Sequence, residues 1–295
     1  MALRPGEVAS FAALIGEYRS AMPIHGTATR LLTTLAVAAL AAVLIVPPPV
    51  SASSAPVLVY ATKIVERHDP ACRPSRSEPF ICAYVRFEYP VIKRAPTPAA
   101  AARLNDVVRE YLVTGWEEPK PASIEQAADT VMRGLEYEKR DGQSFAWWVD
   151  VTVAILYQSA AILSLKFDSR SFGGGVHPNR NATFASFTAK TGAKVALDDV
   201  LVPGHRARLT RIAENAFRAQ HDIKPGMTLR DAGYEFFKND AFALNDNFWF
   251  GPRGVTFFYN NYEIAPYAMG WSEVFLSYQQ ITGLIRSNGL LRSMR

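Results

Sequence analysis

From residue 57 onward, apolar and polar positions alternate over 57–66 and again over 80–89. This period of two predicts a pair of strands, each with one buried face. The pattern then becomes helical. Leu104, Val107, Val108, Tyr111 and Leu112 recur at i, i+3, i+4, i+7 and i+8, behind Thr97-Pro98, a capping residue followed by the proline that a first helical turn tolerates. Ala127, Ala128, Val131, Met132 and Leu135 form a second stripe, opened by Ser123 with Gln126 at capping-box spacing. After Asp141-Gly142 the period returns to two, and 145–156, 160–169, 183–188 and 194–197 read as an antiparallel meander. Helical spacing reappears over 203–223, through Leu209, Ile212, Ala213, Ala216 and Phe217. A short helix is predicted over 228–238 behind Thr228, strands over 247–250, 255–259 and 272–276, and a terminal helix over 278–285.

Strands and helices therefore come in clusters and do not alternate singly. This predicts an α+β fold of antiparallel sheets with packed helices. The break at Gly142 divides it into two sub-domains, 57–142 and 143–286.

Ahead of this region the pattern is of another kind. Residues 31–46 are apolar apart from two threonines, follow Arg30, and run into Pro47-Pro48-Pro49 and small residues. Such a segment is short for a membrane span and is stopped by the prolines, so residues 1–52 are expected to be a signal peptide cut after Ala52. The alternative is an uncleaved anchor, the only contact with a membrane that the sequence suggests. Met1 and Met22 are both possible starts. Removing 1–52 leaves 29 basic against 25 acidic residues, net +4, with the cations scattered, which argues against a nucleic-acid partner. The expected location is periplasmic or secreted.

Export changes the meaning of the two cysteines. Cys72 and Cys82, both after the expected cut, read as one disulfide in an oxidising compartment, worth roughly 3 kcal/mol by chain entropy. A metal site would need further ligands, with His68 and Asp69 as the nearby candidates.

Candidate chemistry concentrates in two words, Ser-Phe-Gly-Gly-Gly-Val-His-Pro-Asn at 171–179 and Tyr-Glu-Ile-Ala-Pro-Tyr-Ala-Met-Gly at 262–270. Three glycines after a strand give up packing, so they mark a special backbone or a close approach. His177, held extended by Pro178, is read either as a cleft residue partnered by Asp168 or Glu263, or as a histidine fixing its own loop. The histidines after the leader, His68, His177, His205 and His221, lack metal-ligand spacing, and no nucleophile or phosphate-loop motif is present. No catalytic residue, metal or cofactor is assigned, and an enzyme is the less favoured class. Most aromatic residues of 248–271 belong to a core. The tyrosines beside Pro266 offer a stacking surface instead.

The glycine word, Ala185-Ser186-Phe187, Thr191-Gly192, Leu197-Asp198-Asp199-Val200-Leu201 and the tyrosine word together resemble the extracytoplasmic domain family of the anti-sigma factor RsiV. That domain is also found beside peptidoglycan deacetylase domains. The family's usual Gly-Gly-Ala-His is Gly174-Gly175-Val176-His177 here. The resemblance covers 145–285, and more weakly 57–140. It implies an envelope binding protein with lysozyme or a peptidoglycan-like glycan as ligand, and it carries no deacetylase catalytic domain with it. The expected binding residues are Gly173, Gly174, Gly175, His177, Asn179, Tyr262, Glu263, Pro266 and Tyr267. The rival readings are a membrane-anchored signalling regulator and an envelope hydrolase using His177.

Overall fold

The computed structural model describes residues 58–70, 82–114, 120–140, 147–173 and 176–291. The expected signal peptide, Cys72, Gly174 and Gly175 lie outside the described residues. No helix among the described residues is long and apolar enough to cross a membrane.

The α+β class holds. Strands β1 (Val59–His68), β2 (Tyr84–Arg94), β3 (Trp148–Gln158), β4 (Ile162–Phe172) and β5 (Asn179–Thr188) form one sheet in the order β1-β2-β3-β4-β5. Its pairs are antiparallel except β2–β3, which is parallel, so the strands do not form a simple antiparallel series. The physical reason is the connection. Helices α1 (Pro98–Val113) and α2 (Ile124–Arg140) intervene between β2 and β3 and return the chain in its original direction. The sheet thus continues from one side of residue 142 to the other.

The predicted caps form. Thr97 accepts from Ala100 N at 3.1 Å and Pro98 opens α1. Ser123 accepts from Gln126 N at 3.1 Å, and Gln126 reaches back to Ala122 N at 2.7 Å. Both helices lie on one face of the sheet. Leu104, Val108, Ala127 and Val131 pack there against Val85, Phe87, Val151, Leu165 and Phe167. Complete burial of one such side chain contributes roughly 1.5–3 kcal/mol.

A second core lies between α4 (His205–Gln220) and a three-stranded antiparallel sheet of β6 (Phe248–Phe250), β7 (Gly254–Tyr259) and β8 (Ser272–Ser277). A one-turn helix, α3 (Leu197–Val200), precedes α4. Phe217 is fully buried, with the rings of Tyr234, Phe237, Phe242 and Tyr259 around it. Gly254 is required by close approach, since a Cβ there would stand 2.1 Å from the Leu276 carbonyl oxygen.

Three predicted elements take other forms. The helix expected over 228–238 is a single turn. Thr228 caps it, but Gly233 turns to φ +90°, and bonds from Tyr234 N to Leu229 O and from Gly233 N to Arg230 O close it as a Schellman motif. The terminal helix over 278–285 reduces to a 3-10 turn at Thr282–Leu284. Its end is held extended instead, with Val202 N bonding Leu284 O and Ile285 bridging to Leu201. The strand expected over 194–197 is one bridge, Phe187 to Lys194, before α3 begins.

Side-chain amides finish the strand edges. Asn105 pairs with Ile92 through both backbone N and O, at 2.8 and 3.0 Å, and Gln220 does the same for Phe275 on β8, at 3.4 and 3.1 Å. On β5, Asn260 accepts from Ala182 N at 2.7 Å and donates to Ala182 O at 3.1 Å, while Asn247 accepts from Phe184 N at 2.7 Å. A carboxamide carries the same donor and acceptor pair as a peptide group, so each acts as a fragment of a missing strand.

Candidate functional site

The two sequence words meet. The His177 ring stacks on Tyr267 with centroids 3.6 Å apart and planes 12° apart, and Tyr262 closes the group at 6.4 Å from His177 and 5.5 Å from Tyr267. Polar atoms fix the stack. Tyr262 Oη lies 3.4 Å from His177 Nε2, Tyr267 Oη donates to Pro178 O at 3.3 Å, and His177 Nδ1 is 3.0 Å from the same carbonyl. Val176, next to His177 in the chain, is 90% exposed and Tyr262 is 52% exposed.

The turn that presents Tyr262 is unusual. It runs from Asn260 to Glu263, closed by Glu263 N donating to Asn260 O at 3.1 Å. Tyr262 occupies its third position with φ 65°, a left-handed backbone ordinarily given to glycine. Holding a bulky residue there costs about 1–3 kcal/mol, so the surroundings must enforce it. Glu263 is the enforcing residue: one carboxylate oxygen accepts from Asn260 N at 2.8 Å and the other from Asn245 Nδ2 at 2.7 Å. Asn245 in turn donates to Phe258 O at 2.7 Å, and Asn260 ties the turn to β5. Beneath it, Tyr259 is buried and donates to Ala243 O at 2.8 Å, and burial raises its phenol well above the usual range.

The carboxylates nominated as partners of His177 are engaged elsewhere. Glu263 is held in the turn. Asp168, buried on β4, accepts from Lys166 at 2.8 Å and from Arg180 through both oxygens at 3.0 and 2.6 Å, with Arg170 at 3.8 Å. Burial opposes its ionisation, but these hydrogen bonds and charges outweigh burial and hold the carboxyl below its ordinary value. Among the described residues no group of three His, Cys, Asp or Glu side chains is arranged to hold a metal ion.

The other nominated residues divide. Gly173 lies at the base of the loop, beside the Trp147 ring, and Asn179 is exposed at the first position of β5. Pro266 is half-buried and accepts from Met269 N at 2.9 Å in the 3-10 turn Tyr267–Met269. Sequence reasoning passed over Asn245, Asn247 and Asn260, which fix the site from behind. Their signal was present as asparagines at the ends of predicted strands, Asn247 at the first position of one and Asn245 and Asn260 just outside, where a β-former would be usual.

Two family models match this chain. Residues 81–180 match the model described as Deacetylase PdaC, and residues 198–279 match the one described as Protein of unknown function (DUF3298). The stack lies across the two matches, with His177 in the first and Tyr262 and Tyr267 in the second. These matches support the domain family to which the resemblance pointed, without singling out its anti-sigma-factor members.

Among solved structures, a DUF3298 family member from Bacteroides fragilis is 17% identical with TM-score 0.64, over 81% of this chain and 99% of that one. A DUF3298 family protein from Pseudomonas aeruginosa is 21% identical with TM-score 0.58, over 78% and 94%. At these identities the likeness concerns the fold. No curated protein matches.

Proposed function

We propose that this chain is an exported cell-envelope binding protein and that the His177–Tyr262–Tyr267 stack, with Val176 projecting beside it, is its recognition surface. One observation carries the reading: Tyr262 is held at φ 65° by its turn and yet remains half exposed. A fold gains nothing in core packing by forcing a large ring outward at that cost, whereas a binding surface gains a rigid aromatic anchor. Stacked rings with polar tips suit the apolar face of a sugar or a cleft lined with backbone groups. The candidate ligands are therefore a peptidoglycan-like glycan and a lysozyme, whose cleft the glycine loop would enter.

The two family matches support an envelope setting, and the leader-like segment at 31–46 is the expected route of export. If that segment is retained as an anchor, the same surface becomes the sensor of a membrane-bound regulator. N-terminal sequencing of the exported protein separates the two.

The test is saturable binding of the purified protein to a panel of lysozymes and to purified peptidoglycan. Tyr267→Ala and His177→Ala should abolish the binding while leaving the thermal transition in place. Equal binding by these variants and the parent moves recognition to another surface.

A further inference from the structure

The strand edges described above are occupied by side-chain amides at Ala182, Phe184, Ile92 and Phe275, but among the described residues no strand or side-chain amide pairs with the outer edge of β1, whose Glu66 carbonyl accepts only from its neighbour Arg67. That strand is ten residues long, and all of its side chains are exposed except buried Val65 and half-buried Arg67. An open edge of this length is a template for another strand, and proteins that do not use such an edge blunt it. We propose that β1 pairs antiparallel with β1 of a second copy of this chain, about a two-fold axis at Ile64.

The phase of the strand fixes which groups are available. Asp69 N donates to Ala83 O at 3.0 Å, so odd-numbered residues in this register turn their peptide groups toward β2. The even-numbered residues Tyr60, Thr62, Ile64, Glu66 and His68 turn theirs outward. Two details agree. Thr62 lies opposite Pro90, which has no N–H to give, and the Glu66 carbonyl is reached by the guanidinium of Arg67 at 2.9 Å. In a two-fold antiparallel pair, opposite residues share a face, so the even set pairs with itself through reciprocal peptide bonds.

Charge then selects the register. Centred on Ile64, the pairing sets Ile64 against Ile64, Thr62 against Glu66 and Tyr60 against His68 on one face. On the other face Lys63 meets Val65 and Ala61 meets Arg67, so no like charges stand opposite. Moving the axis to Lys63 places Lys63 on its own copy, moving it to Val65 places Lys63 against Arg67, and moving it to Glu66 places Glu66 on its own copy; an axis at Thr62 meets no like charges but pairs only residues 59–65 of the strand in place of 60–68. The like-charge juxtapositions are unfavourable, and the shorter overlap forfeits ladder bonds. The Ile64 axis also covers the most exposed large apolar side chain of the strand, at 50%.

The experiment is sedimentation of the protein, as purified from expressing cells, over its accessible concentration range. The mass should double with rising concentration. Ile64→Lys, which sets two ammonium groups opposite each other at an exposed position, should keep the thermal transition of the parent and lose the dimer. Ile64→Cys should form a covalent dimer under mild oxidation that a reductant reverses and that the parent does not form. A parent that is monomeric at every concentration overturns the proposal and leaves the edge to a strand of another protein. So does a dimer that survives Ile64→Lys while Ile64→Cys fails to cross-link.

Discussion

The Tyr262–Gly270 segment has two sides that obey different rules. Inward, Glu263, Asn245 and Asn260 form a linked set of hydrogen bonds that stitches the second sheet to β5. Outward, Tyr262 and Tyr267 present rings to His177 and to solvent, in a backbone conformation that the inward bonds enforce. The inward side is over-determined and carries stability. The outward side consumes some of it, as the proposed recognition surface would.

If this contrast is right, the largest effect on stability belongs to the inward side. Asn260→Ala removes both bonds to Ala182 and leaves a part-buried strand group unpaired, which should cost about 2–3 kcal/mol in urea unfolding. A loss smaller than about 0.5 kcal/mol would break the comparison at its root.

Next comes Asp168, on the strand beside β5. Asp168→Asn should cost about 1–2 kcal/mol by weakening its bonds to Arg180 and Lys166. The sign with pH follows from the depressed carboxyl. Its stabilisation is present above the ordinary aspartate value of 3.8 and is lost as pH falls below it, so acid unfolding of the variant should be flatter in that range.

His221 sharpens the inward rule by violating it. Its Nε2 is buried without a partner, between the rings of Phe217 and Tyr234. Burial lowers its pKa below 6.5 despite the Glu273 backbone, so the folded protein resists a proton that the unfolded chain accepts. Stability is therefore full above pH 6.5 and declines below it. His221→Phe should keep neutral-pH stability within about 1 kcal/mol and remove that decline in a pH series of melting temperatures.

The smallest effect on stability is expected outside. Tyr262→Gly relieves the left-handed backbone but adds freedom to the unfolded chain, so the net change should stay below about 1 kcal/mol. Binding of the partner found in the panel should fall sharply all the same. Unchanged binding together with a clear gain in stability would mean the strain has no use in recognition.

Much of the fold was legible because its signals are local. Thr97-Pro98 and Ser123 begin helices wherever an amphipathic stripe follows, and β8 alternates buried and exposed residues as written. The helix expected over 228–238 failed because Thr228 and Gly233 are a start and a stop only a few residues apart, and the stop prevailed. The helix over 278–285 was cut short by a non-local contact: Leu201 and Val202 hold its end extended, through a bridge to Ile285 and a bond to Leu284 O. At the site, His177 and the tyrosines were legible as unusual words. Glu263 was read as a ligand-facing acid, whereas the fold uses it to close a turn, a role that needs Asn245 and Asn260 in place before it can be seen.

By itself the sequence determined the class of the fold, most of the element starts, and which two segments are peculiar, because capping, periodicity and glycine content act within a few residues. Only the tertiary structure decided that those segments stack on each other, that asparagine and glutamine side chains stand in for missing strands, that β2 runs parallel to β3, and that Tyr262 takes a glycine's conformation. Each of these depends on a partner brought from far along the chain, and a hydrogen bond or a ring contact has no direction or energy until that partner arrives.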